Sequence, residues 1–167
     1  QDSAFALAAA SNAIAAGRLS YVMGLHGPCI TFDTACSSAL VATSAALQAL
    51  HSDCEAALAQ GVNLNLSPAT HALFSCAGLT SATGRSYVFD SRADGMGRGE
   101  ACAALVLRAD DDIEHSRKAI VAGIVAGAAV RHDGRSASLT APNGTAQRGL
   151  VAHASRAAHA SGYCWCE

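Results

Sequence analysis

The hydrophobic and polar positions change period several times along the chain. Residues 4–16 are Ala-rich and lead into Gly17-Arg18, which predicts a helix that ends near Gly17 before a turn toward Leu19-Ser20-Tyr21. Gly24, Gly27 and Pro28 then punctuate a loop. Residues 29–34 (CITFDT) carry β-branched and aromatic side chains behind Gly-Pro and predict a short strand. From Ser37 to residue 50, Leu40, Val41, Leu47 and Leu50 recur at helical spacing among small residues, the pattern of a buried helix. Strand, tight bend and helix put Cys36 at the bend.

Residues 54–62 predict another strand ending near Gly61, and the polar stretch NLNLSPATH turns and starts a short helix around Pro68. Residues 77–100 are crowded with Gly, Ser, Thr, Asp and Arg, which predicts a long ordered loop of the kind that carries function in a compact domain. A strand at 101–107, a charged turn or short helix at 110–117 and a long apolar run at 119–130 follow. A loop at 131–143, a helix from 145 to 160 and a strand at 163–167 complete the pattern. Strands alternating with helices imply an α/β architecture with parallel pairing over part of the sheet. No repeat, low-complexity tract or linker divides the chain.

The 167 residues fit one globular unit or part of one, and 51% hydrophobic against 14% charged composition excludes a disordered or fibrous chain. Much of the apolar content is Ala, so elements can approach closely. A formal charge of -2 with both signs interspersed leaves no patch suited to nucleic acid or a membrane surface. No run nears the roughly 18 apolar residues of a membrane span, and the first ten residues lack the basic region of a secretory signal. A soluble cytoplasmic protein is expected. The seven cysteines are odd in number, scattered and without a C-x-x-C pair, which speaks against a disulfide framework and a zinc site. Cys164 and Cys166 form a C-x-C without a second ligand pair, so no metal is expected.

Cys36 draws the chemical reading. The first turn of a helix offers unpaired backbone N–H groups and the positive end of the dipole, which favour a thiolate over a thiol. The same N–H groups can hold the oxyanion formed when a thiolate attacks a thioester carbonyl. Ala35 on one side and Ser37-Ser38-Ala39 on the other are small and leave room for an acyl chain. On these residues alone, an inert core thiol stays the ordinary reading of a free cysteine. A hydrolase nucleophile elbow wants glycines two residues either side of the nucleophile, whereas Thr34 and Ser38 stand there.

The string Asp33-Thr34-Ala35-Cys36-Ser37-Ser38-Ala39-Leu40 resembles the D-T-A-C-S-S-S-L nucleophile motif of the β-ketoacyl synthases, with Ala39 in place of one Ser. Gly61-Val62-Asn63-Leu64 with Leu66-Ser67-Pro68 resembles that family's G-G-V-N-L and L-S-P stretch. Phe89-Asp90, Asp94-Gly95 and Arg98-Gly99-Glu100 resemble its F-D-x-x-x-D-G-x-x-R-G-E. Asp133-Gly134-Arg135 and the run from Leu139 to Gly144 resemble its D-G-R and L-T-A-P-N-G. Four segments in the family's order make the signal specific. Ala101 and Ala103 depart from the glycines of G-E-G-C-G, and Arg131-His132 stands where N-Q usually precedes D-G-R.

The resemblance implies a thiolase-like layered α/β fold, present in part as the end of a first half and the start of a second. Residues 1–167 are then a partial ketosynthase domain truncated at both ends. It further implies an acyltransferase of polyketide or fatty acid biosynthesis in which Cys36 is the catalytic residue; the substrate-binding residues stay unassigned. The acyl group comes from the phosphopantetheine of an acyl carrier protein, with no cofactor bound directly. A malonyl-type extender on the carrier is decarboxylated and condenses with the acyl-enzyme, and the intact parent is expected to be a homodimer. The family's catalytic histidines sit in H-G-T-G-T and G-H motifs, neither of which is present, so the chain alone is expected to be inactive. His26, His51, His71, His115, His132, His153 and His159 match no catalytic position and are expected at the surface or in loops. The Asp and Arg residues of 89–100 are expected to fix a loop, and Gly95, Gly97 and Gly99 fail the spacing and following helix of a phosphate cradle. Rival readings are another thiolase-fold condensing enzyme and a non-catalytic ketosynthase-like domain kept for dimerisation or chain-length control.

Overall fold

The computed structural model describes residues 6, 11–52, 54–109 and 121–162. The described residues form two compact units, one made of the chain up to Ala57 together with that from Val106 onward, the other of Leu58–Leu105.

In the first unit a 3₁₀ turn at Asn12–Ile14 leads into helix α1, Ala15–Met23. This helix runs through Gly17 and stops at Gly24, which corrects the expected end. Gly24 takes φ 66, and Leu25 N–H reaches back to the Ser20 carbonyl at 2.9 Å. A left-handed glycine with that back-bond is the stop signal, whereas Gly17 merely lowers helix propensity. Residues 4–10, apart from Ala6, lie outside the described residues. The expected strand at 29–34 is also corrected: these residues run without regular structure and join no ladder among the described residues. β-branched composition makes a segment fit a sheet surface, but a strand exists only where a neighbour accepts its hydrogen bonds.

Helix α2, Ser38–Leu50, follows a 3₁₀ turn at Ala35–Ser37 and matches the expected span, but not the expected burial: Ser44 is its buried residue and Leu40 is exposed. The second unit contributes helix α3, Pro68–Cys76, which starts as expected, with Pro68 in the first turn where its missing N–H costs nothing. Helix α4, Gly144–Ala160, lies in the first unit and begins at Asn143, whose side-chain oxygen accepts the Thr145 and Ala146 N–H groups. The segment at 121–130 passes α4 at Gly127, where an added Cβ would lie 2.7 Å from the Ala154 carbonyl oxygen and the Ala158 nitrogen. Ala158 on α4 is buried. Small residues thus let backbone meet backbone. The expected elements at 110–117 and 163–167 lie outside the described residues.

The second unit is organised by β1, Ala56–Asn63, and β2, Ala101–Arg108, which pair as a two-stranded sheet. Gln60 Nε2 donates to Cys102 Sγ at 3.2 Å, and Asn63 Nδ2 donates to the Gly99 carbonyl. Partners retreat as the first strand advances, so the pairing is antiparallel. The parallel pairing expected from the helix-strand alternation is confined, among the described residues, to the isolated bridge between Thr80 and Met96. Residues 77–100 form the expected long loop.

Burial is sparse. Ala59 and Ala158 are the buried hydrophobic residues among those described, while Tyr21, Leu40 and Leu66 are 90%, 74% and 81% exposed. None of the described helices is long and apolar enough to cross a membrane.

Gly95 is the position where the 77–100 loop tolerates least. Its φ is 142, and a Cβ there would sit 2.5 Å from the Thr80 carbonyl carbon and 2.6 Å from the Ser81 nitrogen. Gly95→Ala is therefore expected to destabilise the protein by about 2 kcal/mol or more. Urea unfolding checks this, and an unchanged midpoint would show that the loop has room to shift.

Candidate active site

Cys36 sits where the chain turns from an extended run into α2 (Ser38–Leu50), and its side chain is exposed. The turn is made by Ala35, which adopts φ 58. An L-residue in the left-handed region costs about 1–2 kcal/mol, so something must hold it. Side chains on both sides do. Ala35 N–H donates to Asp33 Oδ1 at 3.3 Å, and the Ala35 carbonyl accepts the Ser38 hydroxyl at 2.7 Å as well as the Ser38 backbone N–H. Thr34 N–H donates to Ser38 Oγ at 2.8 Å. Ser37 Oγ donates to the Thr34 carbonyl at 2.9 Å and lies 2.9 Å from Thr34 Oγ1.

This placement differs from that of an inert core thiol. A sulfur on a sharp turn at a helix N-terminus, open to approach, can meet a carbonyl carbon, but the neighbouring Ala35, Ser37 and Ser38 N–H groups are not the unpaired donors expected: they are bonded to Asp33 Oδ1, the Thr34 carbonyl and the Ala35 carbonyl. Ser37 and Ser38, read from sequence as small neighbours, are instead the ties that shape the turn. Their sequence signal was present, because serine beside a helix start so often bonds to local backbone.

The other motif residues hold loops. Arg98 donates to Asn65 Oδ1 through Nε at 3.1 Å and Nη2 at 2.6 Å, and its guanidinium lies 4.4 Å over the Phe74 ring. Glu100 Oε1 accepts the Asn65 N–H at 2.6 Å. The G-V-N-L and R-G-E segments are thus two halves of one clasp. Asp94 Oδ2 accepts the Ala82 N–H at 3.3 Å, and Asp90 forms a two-point pair with Arg92 at 2.8 and 3.0 Å. Arg92 also stacks 4.6 Å over Tyr87. These bonds bear out the loop-fixing role expected for the charges of 89–100. Gly95 and Gly97 serve close backbone approach, and β2 rather than a helix follows them.

Asp133 and Asn143 are tied in the same way. Asp133 Oδ2 accepts the Asn143 N–H at 2.8 Å, and Asn143 Nδ2 returns a bond to the Asp133 carbonyl at 3.2 Å. Arg131 and His132, the departures from N-Q, have local partners: Arg131 Nη2 lies 3.1 Å from His153 Nδ1, and His132 Nδ1 accepts the Gly134 N–H at 2.9 Å. His26, His51, His71, His132, His153 and His159 are all exposed, as expected, and His115 lies outside the described residues. Cys164 and Cys166 lie outside them too. Among the described residues no His, Cys, Asp or Glu cluster could hold a metal ion.

Similarity to known proteins agrees with this geometry. The family model for the β-ketoacyl synthase N-terminal domain matches residues 1–113. The chain belongs to the β-ketoacyl synthase family. One polypeptide of the phenolphthiocerol/phthiocerol polyketide synthase of Mycobacterium tuberculosis is 46% identical over 141 residues, which is 84% of this chain and 6% of that one. Another polypeptide of the same synthase is 44% identical over 147 residues, 87% of this chain and 10% of that one. Among solved structures, the ketosynthase from module 6 of the bacillaene synthase of Bacillus subtilis 168 superposes with TM-score 0.80 at 41% identity. The match covers 84% of this chain and 25% of the bacillaene one. An oxazolomycin ketosynthase domain of Streptomyces albus JA3453 gives TM-score 0.84 at 33% identity, over 89% of this chain and 27% of the other. The thiolase-like fold of ketosynthase domains is therefore the fold of this chain, which spans about a quarter of those ketosynthase chains and a tenth or less of the curated relatives.

The Asp90–Arg92 pair carries a measurable consequence for this ketosynthase segment. The Arg92 side chain, and then its backbone N–H, hold the Asp90 carboxyl below the usual carboxylate range. A lowered folded value means the pair steadies the loop above the ordinary aspartate titration near pH ~3.9 and ceases to do so as acid protonates Asp90. Carboxyl NMR titration should place Asp90 below an ordinary aspartate and move it part of the way back in Arg92→Leu, which removes the guanidinium and keeps the backbone N–H. An Asp90 unmoved by that substitution would remove Arg92 as the cause.

Proposed function

We propose that residues 1–167 are an internal piece of a ketosynthase domain and that Cys36 is its acyl-accepting nucleophile. The observation that carries the proposal is the exposed Cys36 sulfur on a left-handed turn at the start of α2. The Cys36 thiolate attacks the carbonyl of an acyl thioester on the phosphopantetheine of an acyl carrier protein. The tetrahedral oxyanion collapses, the acyl group stays on Cys36, and the pantetheine thiolate leaves and takes up a proton. In the intact parent a carrier-bound malonyl-type extender loses CO₂, and its carbanion attacks the acyl-Cys36 carbonyl. A carbon–carbon bond forms, and the Cys36 thiolate departs.

The names of the relatives favour polyketide over fatty acid synthesis for the parent. The apolar faces of α1 and α2 support further layers of a larger domain, and a homodimer, as what covers them. Free cysteines among the described residues fit a reducing cytoplasm.

In the full-length parent, incubation with an acyl N-acetylcysteamine thioester is expected to add the acyl mass to the Cys36 peptide. Cys36→Ala should abolish this and cut condensation on the order of 10³-fold or more. Acylation confined to another residue would sink the assignment, and a parent inert at Cys36 would favour the non-catalytic reading.

The 167-residue chain by itself holds the nucleophile without the family's histidine motifs. Purified alone and supplied with acyl and malonyl thioesters, it is expected to release no ketide, as mass spectrometry can check. Detected ketide would mean that a base sits within this chain.

A further inference from the structure

Ser38 makes bonds that a helix start does not need. It is the first residue of α2, and the N-cap position is Ser37, which makes no side-chain cap bond. A capping hydroxyl would accept an N–H two or three residues further into the helix. The Ser38 hydroxyl turns the other way. It accepts the Thr34 N–H at 2.8 Å and donates to the Ala35 carbonyl at 2.7 Å, bracketing the two residues that precede Cys36.

The bracket closes around the one strained residue of this turn. Ala35 at φ 58 opens the 3₁₀ turn that leads into α2, and its own N–H is tied by the longer 3.3 Å bond to Asp33. Removing the Ser38 hydroxyl would leave Thr34 N–H without its acceptor and loosen the Ala35 carbonyl. Ala35 would then relax toward the ordinary region of backbone space and carry the Cys36 Cα and sulfur with it. The helix would be spared, because its own ladder does not use that hydroxyl.

We infer that Ser38 is a positioning residue for the Cys36 sulfur, acting by holding Ala35 left-handed. The inference rests on the acyl-transfer reading only for its consequence in catalysis. The geometric claim concerns where the thiol is held.

The test uses the full-length parent in four forms: unsubstituted, Ser38→Ala, Ser38→Thr, and Ala35→Gly combined with Ser38→Ala. Two rates are read at Cys36 by peptide mapping, acylation by an acyl N-acetylcysteamine thioester in a single turnover and alkylation by iodoacetamide. Ser38→Ala is expected to slow acylation about 10- to 100-fold, the usual cost of misplacing a reacting atom by ~1 Å, with its melting temperature little changed. Ser38→Thr, which keeps the hydroxyl, should recover most of the rate. The double variant should also recover part of it, because glycine takes positive φ without steric cost.

That second rescue separates positioning from direct chemistry, since a glycine at position 35 cannot replace a lost proton donor. Ser38→Ala acylating at the unsubstituted rate would overturn the inference, as would a loss that the glycine does not repair. Were the unsubstituted parent not acylated at Cys36, the acyl-transfer reading would fall by itself. The iodoacetamide rates would still decide the positioning role, by the same order among the four forms.

Discussion

The hydrogen bonds that Asp33 and Ser38 make to the backbone of residues 34 and 35 keep Ala35 in the left-handed region. Everything proposed about chemistry depends on them. A continuous helix through this point would point Cys36 along its surface with its amide used in the ladder, and a continuous strand would lack the helix terminus altogether. The kink lets an extended run end at Cys36 while α2 begins immediately afterwards. Its strain of about 1–2 kcal/mol is small beside what a well-placed nucleophile gains, and side-chain hydrogen bonds of about 1 kcal/mol each can offset it.

The same logic governs the loops that carry the rest of the motifs. Asn63, Asn65, Arg98, Gly99 and Glu100 close one clasp, and Asp133 with Asn143 closes another in the other unit. In each, a side chain satisfies backbone groups that lack a ladder partner, which is how a long loop stays ordered without a hydrophobic core beneath it. The family's strings of Asn, Asp, Arg and Glu are therefore largely structural here. Cys36 takes no part in these holding bonds.

Where the described elements meet closely they do so through small residues, as at Gly127 against Ala154 and Ala158. Large apolar side chains on α1, α2 and the 121–130 segment stay exposed. A high alanine content allows tight approach but supplies little apolar area per contact, so these faces gain little burial among the described residues.

Local signals by themselves determined the span of α2, the start of α3 at Pro68, the body of α4 from Thr145, both strands of the sheet and the long loop before β2. Proline geometry, side-chain capping and apolar period act over a few residues and need no distant partner. The order of four motifs also made the family legible before any coordinate. Only the tertiary structure decided that α1 runs on to Gly24, that residues 29–34 stay unpaired, and that β1 meets β2 antiparallel. Pairing sense belongs to two segments at once, so neither segment can state it alone, and a β-rich stretch such as residues 29–34 stays unpaired where no neighbour accepts it. The left-handed Ala35 is the sharpest case: alanine intrinsically avoids that region, and only bonds from residues on either side of the turn make it the conformation held.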